Sequence, residues 1–116
     1  MGSKILIADD DTLVRGAIQK ILNMFNHDVV AVESGQQVLE RVSEGFDVIV
    51  LDINMPDMNG FEVCRTLKNN STTAFIPIIF VTSLNETENI VKGFEVGAVD
   101  YLLKPINTAE LTARVK

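Results

Sequence analysis

Short apolar segments and amphipathic segments alternate along the chain. Five apolar segments predict β-strands, at about residues 4–9, 28–32, 47–52, 77–82 and 99–103. Most of them are apolar without a break, as in Val48-Ile49-Val50-Leu51, and unbroken apolar runs are typical of strands that are buried on both faces. The pattern therefore predicts a parallel sheet that is covered by helices on both sides.

The segments between the predicted strands show the helical period of apolar residues. In the first of them, one stripe is expected to face the sheet and consists of Leu13, Val14, Ala17, Ile18, Ile21, Leu22 and Phe25. A capping side chain three residues before Glu or Gln marks three helix starts, at Ser34, Asn85 and Asn107. Apolar positions also predict a fourth helix that includes Ile90, Val91 and Phe94, and a fifth that includes Leu111 and Val115.

Alternating strands and helices with short connections predict a doubly wound α/β sandwich, and we expect one domain over residues 1–116. For five strands the flavodoxin-like order 2-1-3-4-5 is the natural arrangement, with its switch point between strands 1 and 3. The last helix is still running at the final residue, so we expect it to be cut short. Any output domain would then lie outside these residues.

Composition narrows the classes of partner. The formal net charge is −6 and the isoelectric point is about 4.6, which disfavours direct contact with nucleic acid and docking on anionic membranes. A single cysteine, Cys64, excludes an intrachain disulfide. Because no signal segment or membrane span is recognisable, the expected location is the cytoplasm.

Polar residues stand where four of the predicted strands end. Asp9 and Asp10 end the first strand, Asp52 the third, Thr82 the fourth and Lys104 the fifth. The carboxyl ends of parallel strands lie at one edge of the sheet, where ligands of open α/β folds bind. We therefore expect these five side chains to converge.

Crowded carboxylates repel one another, so folding alone gives no reason for such a cluster. A bound Mg²⁺ does, because it prefers carboxylate, carbonyl, water and phosphate oxygens. With a metal in place, Asp52 can act as a nucleophile that forms an aspartyl phosphate. Lys104 would supply a second cation and Thr82 a hydroxyl donor to the phosphoryl oxygens.

Taken one at a time, the same residues have ordinary structural explanations. An acidic residue after a strand often caps the next helix, and we expect this of Asp11. Asp52 alone would suit a turn, Thr82 a strand end and Lys104 the surface. Capping does not require all of them to meet at one edge, and the joint pattern favours a functional site.

These residues resemble the receiver domain of two-component response regulators over essentially the whole chain. The resemblance is carried by Asp9-Asp10, by Asp52 within LDINMPDMNG, by Thr82-Ser83 and by Lys104-Pro105. It implies that Asp52 accepts a phosphoryl group from a sensor histidine kinase or phosphotransfer domain. It also implies that Asp10, Asp52 and the Asn54 carbonyl bind Mg²⁺ (or Mn²⁺) directly, that Asp9 acts through water, and that Thr82 and Lys104 contact the phosphoryl oxygens.

The same resemblance implies a switch. Thr82 would move toward the phosphoryl group and Tyr101 would turn inward, which remodels the surface of the fourth helix, the fifth strand and the fifth helix. The bond before Pro105 would be cis. The domain would signal rather than act as an enzyme, although it assists its own phosphorylation and dephosphorylation. A homodimer or a downstream output domain is the expected further partner.

Three other classes of protein share parts of this pattern. In haloacid-dehalogenase-like phosphatases Asp9 would be the nucleophile and Asp11 the general acid, but a fourth acidic motif after Lys104 is missing and the chain is small. A flavodoxin-like cofactor carrier would need a Ser-, Thr- and Gly-rich loop after strand 1, and here that loop is acidic. An unphosphorylated interaction module would not need the complete residue set.

Overall fold

A computed structural model describes residues 2–55, 57–83, 95, 97, 100–104 and 106–115. It contains a five-stranded sheet in the order β2-β1-β3-β4-β5, and every neighbouring pair of strands is parallel. The strands are β1 Lys4–Ala8, β2 Asp28–Val32, β3 Val48–Asp52, β4 Ile78–Ser83 and β5 Asp100–Lys104. The predicted flavodoxin-like order is confirmed, and each observed strand differs from its predicted bounds by at most one residue at either end.

The described helices follow the predicted alternation. They are α1 Thr12–Met24, α2 Gly35–Arg41, a 3₁₀ turn Val42–Glu44, α3 Gly60–Lys68 and a C-terminal helix Thr108–Arg114. The predicted fourth helix, with its start signal at Asn85, lies outside the described residues, as does Pro105. Within the part of the chain that is described, no helix has both the length and the apolar character of a membrane span.

Side-chain caps fix where the helices begin. The side chain of Ser34 accepts a hydrogen bond from the Gln37 N–H at the start of α2, and Asn107 does the same for Glu110 in the C-terminal helix. Asp11 caps α1, as predicted. Such caps satisfy backbone donors that have no acceptor within the helix.

The core forms two layers, one on each face of the sheet. Alternate strand residues point to opposite faces, and all five residues of β3 are buried. One layer packs under α2 and α3 and includes Val38, Phe61, Cys64 and Leu67. The other packs under α1 and the C-terminal helix and includes Ile18, Leu22, Leu111 and Val115. This two-sided burial is what the unbroken apolar strands predicted.

The apolar stripe of α1 is narrower than predicted. Ile18 and Leu22 are buried, but Leu13 is 84% exposed and Phe25 is 51% exposed. Leu13 lies beside the helical line that runs through Val14 and Ile18, and Phe25 has left helical geometry at the C-cap. The prediction was therefore wrong for Leu13 and Phe25, and it was also wrong for Ala17, which is exposed.

Candidate functional site

The pairing of β1 with β3 places Asp9 beside Asp52. Ala8 and Leu51 are partners in the ladder, so the residues that follow them, Asp9 and Asp52, lie side by side. Carboxylate oxygens of Asp9, Asp10 and Asp52 all lie within 4.8 Å of one another. Asp9 is 1% exposed and Asp52 is 3% exposed, whereas Asp10 is exposed. The predicted acidic cluster is present at the expected edge.

Lys104 brings a positive charge to this cluster from the end of β5. Its Nζ lies 3.6 Å from Oδ1 of Asp52 and 3.7 Å from Oδ2 of Asp9. Thr82 is buried at the end of β4, the strand that lies between β3 and β5. The structure therefore assembles at one edge the carboxylates and the ammonium group that the sequence pattern predicted.

Burial makes the two inner carboxyl groups hard to ionise. It raises the pKa of Asp52 to about 7, an increase to which the nearby charge of Asp9 adds and which the Lys104 ammonium opposes. Burial likewise raises the pKa of Asp9, against the hydrogen bond from Asp11 and the charge of Lys104. The single ammonium group of Lys104 does not neutralise the three carboxyl groups, so the cluster attracts further positive charge.

The donor set fits a hard divalent cation. Oδ1 of Asp9 accepts a hydrogen bond from the Asp11 N–H at 2.9 Å, but Oδ2 is buried and has no hydrogen-bond partner among the described residues. The 3.7 Å separation from Lys104 is too long for a hydrogen bond. A buried carboxylate oxygen that accepts no hydrogen bond and lies beside two other carboxylates is suited to Mg²⁺ or Mn²⁺, which prefer oxygen ligands.

The other predicted residues lie around this centre. The Asn54 side chain is exposed, and its backbone N–H donates to Oδ1 of Asp52 at 3.4 Å. Tyr101, on β5, is half-buried against the core layer under α2 and α3. The geometry of the bond before Pro105 lies outside the described residues.

Asp11 is a helix cap in this structure. Its Oδ1 accepts hydrogen bonds from the backbone N–H groups of Leu13 at 2.9 Å and Val14 at 3.2 Å. These two bonds hold the carboxylate against the first turn of α1. The phosphatase interpretation requires Asp11 as a general acid, and the capping geometry gives it a different role.

Sequence reasoning missed two polar residues near the site. The guanidinium group of Arg15 donates to the backbone carbonyl of Asp9 at 2.8 Å and lies 3.8 Å from Glu33. The carboxylate of Asp57 accepts hydrogen bonds from the first two N–H groups of α2. Arg15 is only six residues from Asp9 but reaches Glu33 on another segment, and Asp57 is more than 20 residues from the start of α2. Local spacing does not indicate these contacts.

Relatives of this chain are response regulators. Response regulator ArlR of Staphylococcus saprophyticus is 38% identical over 115 residues, which are 98% of this chain and 51% of that protein. The phosphate regulon transcriptional regulatory protein PhoB of Pseudomonas aeruginosa is 39% identical over 117 residues, 100% of this chain and 51% of its own length. The chain thus spans about half the length of the curated relatives it matches.

Solved structures show the same fold. The chemotaxis response regulator CheY4 of Vibrio cholerae superposes with a TM-score of 0.91 at 32% identity and covers 100% of both chains. The signal receiver domain of a signal transduction histidine kinase from Syntrophus aciditrophicus gives 0.89 at 30% identity, over 98% of this chain and 87% of that one. The sequence profile of the response regulator receiver domain matches residues 5–116. This chain therefore belongs to the family of receiver domains found in two-component response regulators.

Proposed function

We propose that Asp52 accepts a phosphoryl group from the phosphohistidine of a sensor histidine kinase or a phosphotransfer domain. The observation that carries the proposal is the position of Asp52. Its carboxylate is buried at the carboxyl end of the central strand, within 4.8 Å of oxygens of Asp9 and Asp10 and 3.6 Å from Lys104. Membership of the receiver family supports the same choice of residue.

In the proposed transfer, a carboxylate oxygen of Asp52 attacks the phosphorus atom. A phosphorus–oxygen bond forms while the phosphorus–nitrogen bond of the phosphohistidine breaks, and the imidazole nitrogen leaves with that electron pair. Phosphoryl transfer depends mainly on alignment and on neutralisation of the phosphoryl oxygens. Lys104 is close enough to Asp52 to supply a point charge there, and we assign to the Thr82 hydroxyl the role of a hydrogen-bond donor.

We further propose that Asp10, Asp52 and the Asn54 carbonyl hold Mg²⁺ (or Mn²⁺) directly and that Asp9 acts through water. When bound, the ion would supply positive charge to the phosphoryl oxygens. The buried Oδ2 of Asp9, which has no hydrogen-bond partner among the described residues, supports a role for this residue in the cation site. The backbone N–H of Asn54 meanwhile orients the Asp52 carboxylate.

The phosphoryl group is proposed to act as a switch. A new dianion beside Lys104 would favour an arrangement in which Thr82 moves toward it and Tyr101 turns inward. The half-buried position of Tyr101 against the core leaves it room to change its exposure. A downstream output domain or a homodimer partner, and a cytoplasmic location, remain predictions from the sequence.

Intact mass after incubation with Mg²⁺ and acetyl phosphate tests this function. We expect one added phosphoryl group that requires Mg²⁺ and is absent from Asp52→Asn. Label that survives in Asp52→Asn and disappears in Asp9→Asn would instead support the phosphatase interpretation. If neither acetyl phosphate nor a phosphorylated phosphotransfer domain labels the wild-type protein, the proposed function is wrong.

A further inference from the structure

The loop between β3 and α3 determines the surroundings of Asp52. Its described residues are 53–55 and 57–59, and its first N–H, that of Ile53, donates to the Val81 carbonyl at 3.3 Å. The next residue, Asn54, donates its N–H to Asp52 itself. A displacement of this loop would therefore change how the Asp52 carboxylate is held.

Asp57 fastens the outer part of this loop to another element. Its Oδ1 accepts a hydrogen bond from the Gly35 N–H at 3.0 Å, and its Oδ2 accepts one from the Gln36 N–H at 2.8 Å. These N–H groups belong to the first turn of α2, where no acceptor is available within the helix. The hydrogen bonds, first that from Gln36, lower the pKa of Asp57, so α2 holds the ionised carboxylate.

Close packing accompanies these hydrogen bonds. A Cβ atom on Gly35 would lie 2.4 Å from Cγ of Met58 and 2.8 Å from a methyl carbon of Val63. The first turn of α2 therefore lies close against Met58 of the loop and Val63 of α3, and a larger residue at position 35 would displace these side chains. The side chain of Ser34 caps a different donor, the N–H of Gln37. Asp57 therefore does not duplicate the helix's own cap.

We propose that Asp57 is a positioning residue that clamps the loop after Asp52 to α2 and so maintains the arrangement of Asp52 and Asn54 that binds the divalent cation. The inference rests on the proposed function, because it assigns regulation of the same site to a residue outside it. Asp57 acts through the loop backbone and contacts neither the cation nor the phosphoryl group. Without the clamp, the loop would sample other positions and the cation site would form only part of the time.

The test compares Asp57→Ala and Asp57→Asn with the control Asp47→Asn. Asp47 is also an exposed carboxylate that accepts a backbone N–H, that of Lys4 at 2.8 Å, but it lies at the opposite edge of the sheet. The Mg²⁺ dissociation constant is measured by NMR titration of the unphosphorylated protein. Protection of the Gly35 and Gln36 amide protons against exchange is measured in the same samples.

We expect Asp57→Ala to weaken Mg²⁺ binding by up to about fivefold, the limit reached if the whole free energy of one helix cap is coupled to the cation site. Protection at Gly35 and Gln36 should fall at the same time. Asp57→Asn should show a smaller change, because its amide oxygen still accepts one hydrogen bond. Asp47→Asn should match the wild type, and raising Mg²⁺ should restore acetyl-phosphate labelling of Asp57→Ala.

Two results would overturn the clamp. One is unchanged Mg²⁺ affinity in the Asp57 variants although the Gly35 and Gln36 amides have lost protection. The other is an equal loss of affinity in Asp47→Asn. If Asp57→Ala does not fold, the Mg²⁺ affinity of Asp57→Asn is compared with that of the wild type instead. A wild-type protein that binds Mg²⁺ but takes no phosphoryl group would refute the proposed function. The Mg²⁺ dissociation constants of the Asp57 variants and the wild type would still show whether Asp57 clamps the loop.

Discussion

Lys104 holds its ammonium nitrogen 3.6 Å from a carboxylate oxygen of Asp52, across the end of the strand that lies between them. Nothing in the local sequence of either residue fixes this distance. It follows from the parallel register, in which Asp52 pairs with Val81 and Ser83 pairs with Lys104. The sheet therefore positions the cation, and a flexible side chain has only to span one strand.

Replacing Lys104 with Met should slow phosphorylation by acetyl phosphate about 100-fold, the usual effect of removing one preorganised positive or hydrogen-bonding group. The mass-shift assay at several reaction times measures the rate. Lys20→Met, at an exposed position on α1, is the matched control and should react like the wild type. Equal rates for the two variants would mean that Lys104 does not assist transfer.

Asp52→Asn should stabilise the metal-free protein at high pH. The pKa of Asp52 is raised from 3.8 to about 7 in the folded state, so the native protein binds the proton more tightly than the unfolded chain does. Stability from this group is present at low pH and is lost as pH rises through that folded pKa. At pH 8 in EDTA, we expect the variant to raise the free energy of unfolding by about 1–3 kcal/mol.

The gain from Asp52→Asn should shrink as pH falls and should vanish at about pH 3, because below the ordinary pKa of 3.8 both the folded and the unfolded states of wild-type Asp52 carry the proton. Mg²⁺ should also reduce the stability difference between Asp52→Asn and the wild type, because ion binding stabilises only the folded wild type. Urea denaturation at pH 5 and pH 8, with and without Mg²⁺, gives these values. Asp28→Asn, which removes an exposed carboxylate far from the edge of the sheet where Asp52 lies, is the control, and an equal gain there would contradict this explanation.

Two glycines should respond to alanine in opposite directions. A Cβ on Gly60 would lie 2.6 Å from the backbone oxygen of Asp52 and 3.0 Å from Cα of Ile53, and backbone atoms cannot rotate aside. Gly60→Ala should therefore cost about 1–3 kcal/mol of stability. Nothing lies within 4 Å of the same position on Gly16, so Gly16→Ala in α1 should gain about 0.5–1 kcal/mol. Chemical denaturation measures both, and a Gly60→Ala protein as stable as the wild type would contradict the close approach.

Tyr101 offers an optical test of the switch. It is the single tyrosine of a chain that has no tryptophan, so intrinsic fluorescence excited at the phenol reports this side chain alone. Phosphorylation should change the fluorescence and its quenching by iodide, because Tyr101 is expected to turn inward. Asp52→Asn should show no change with the same reagents, and an unchanged wild-type signal would exclude a movement of Tyr101.

The fold was predictable because the sequence patterns that indicate strands and helices are local and recur along the chain. Unbroken apolar runs such as Ile78-Ile79-Phe80-Val81 indicate a parallel sheet, and topology then brings strand ends together, so the convergence of Asp52 and Lys104 followed without any contact information. The ends of α1 were less predictable. Periodicity places a residue on a face of the helix but does not tell whether the sheet extends beneath it, as the exposed Leu13 shows.

Contacts between distant segments could not be predicted in the same way. Asp57 lies within the LDINMPDMNG motif, and its local sequence indicates no partner for it. Its pairing with Gly35 depends on how closely α2 approaches the loop, which the absent Cβ of that glycine permits. Such a contact depends on tertiary packing, and a single sequence carries no periodic signal for it.

The complete burial of β3 limits how sequences that keep this site can diverge. All five residues of the strand that ends in Asp52 are buried, with Ile49 and Leu51 in one core layer and Val48 and Val50 in the other, so the packing on both faces of the sheet constrains this strand. The outward faces of the helices carry no such constraint. Evolutionary change in recognition is therefore expected to accumulate on the helices, while the strand that presents the Asp52 carboxylate is inherited almost unaltered.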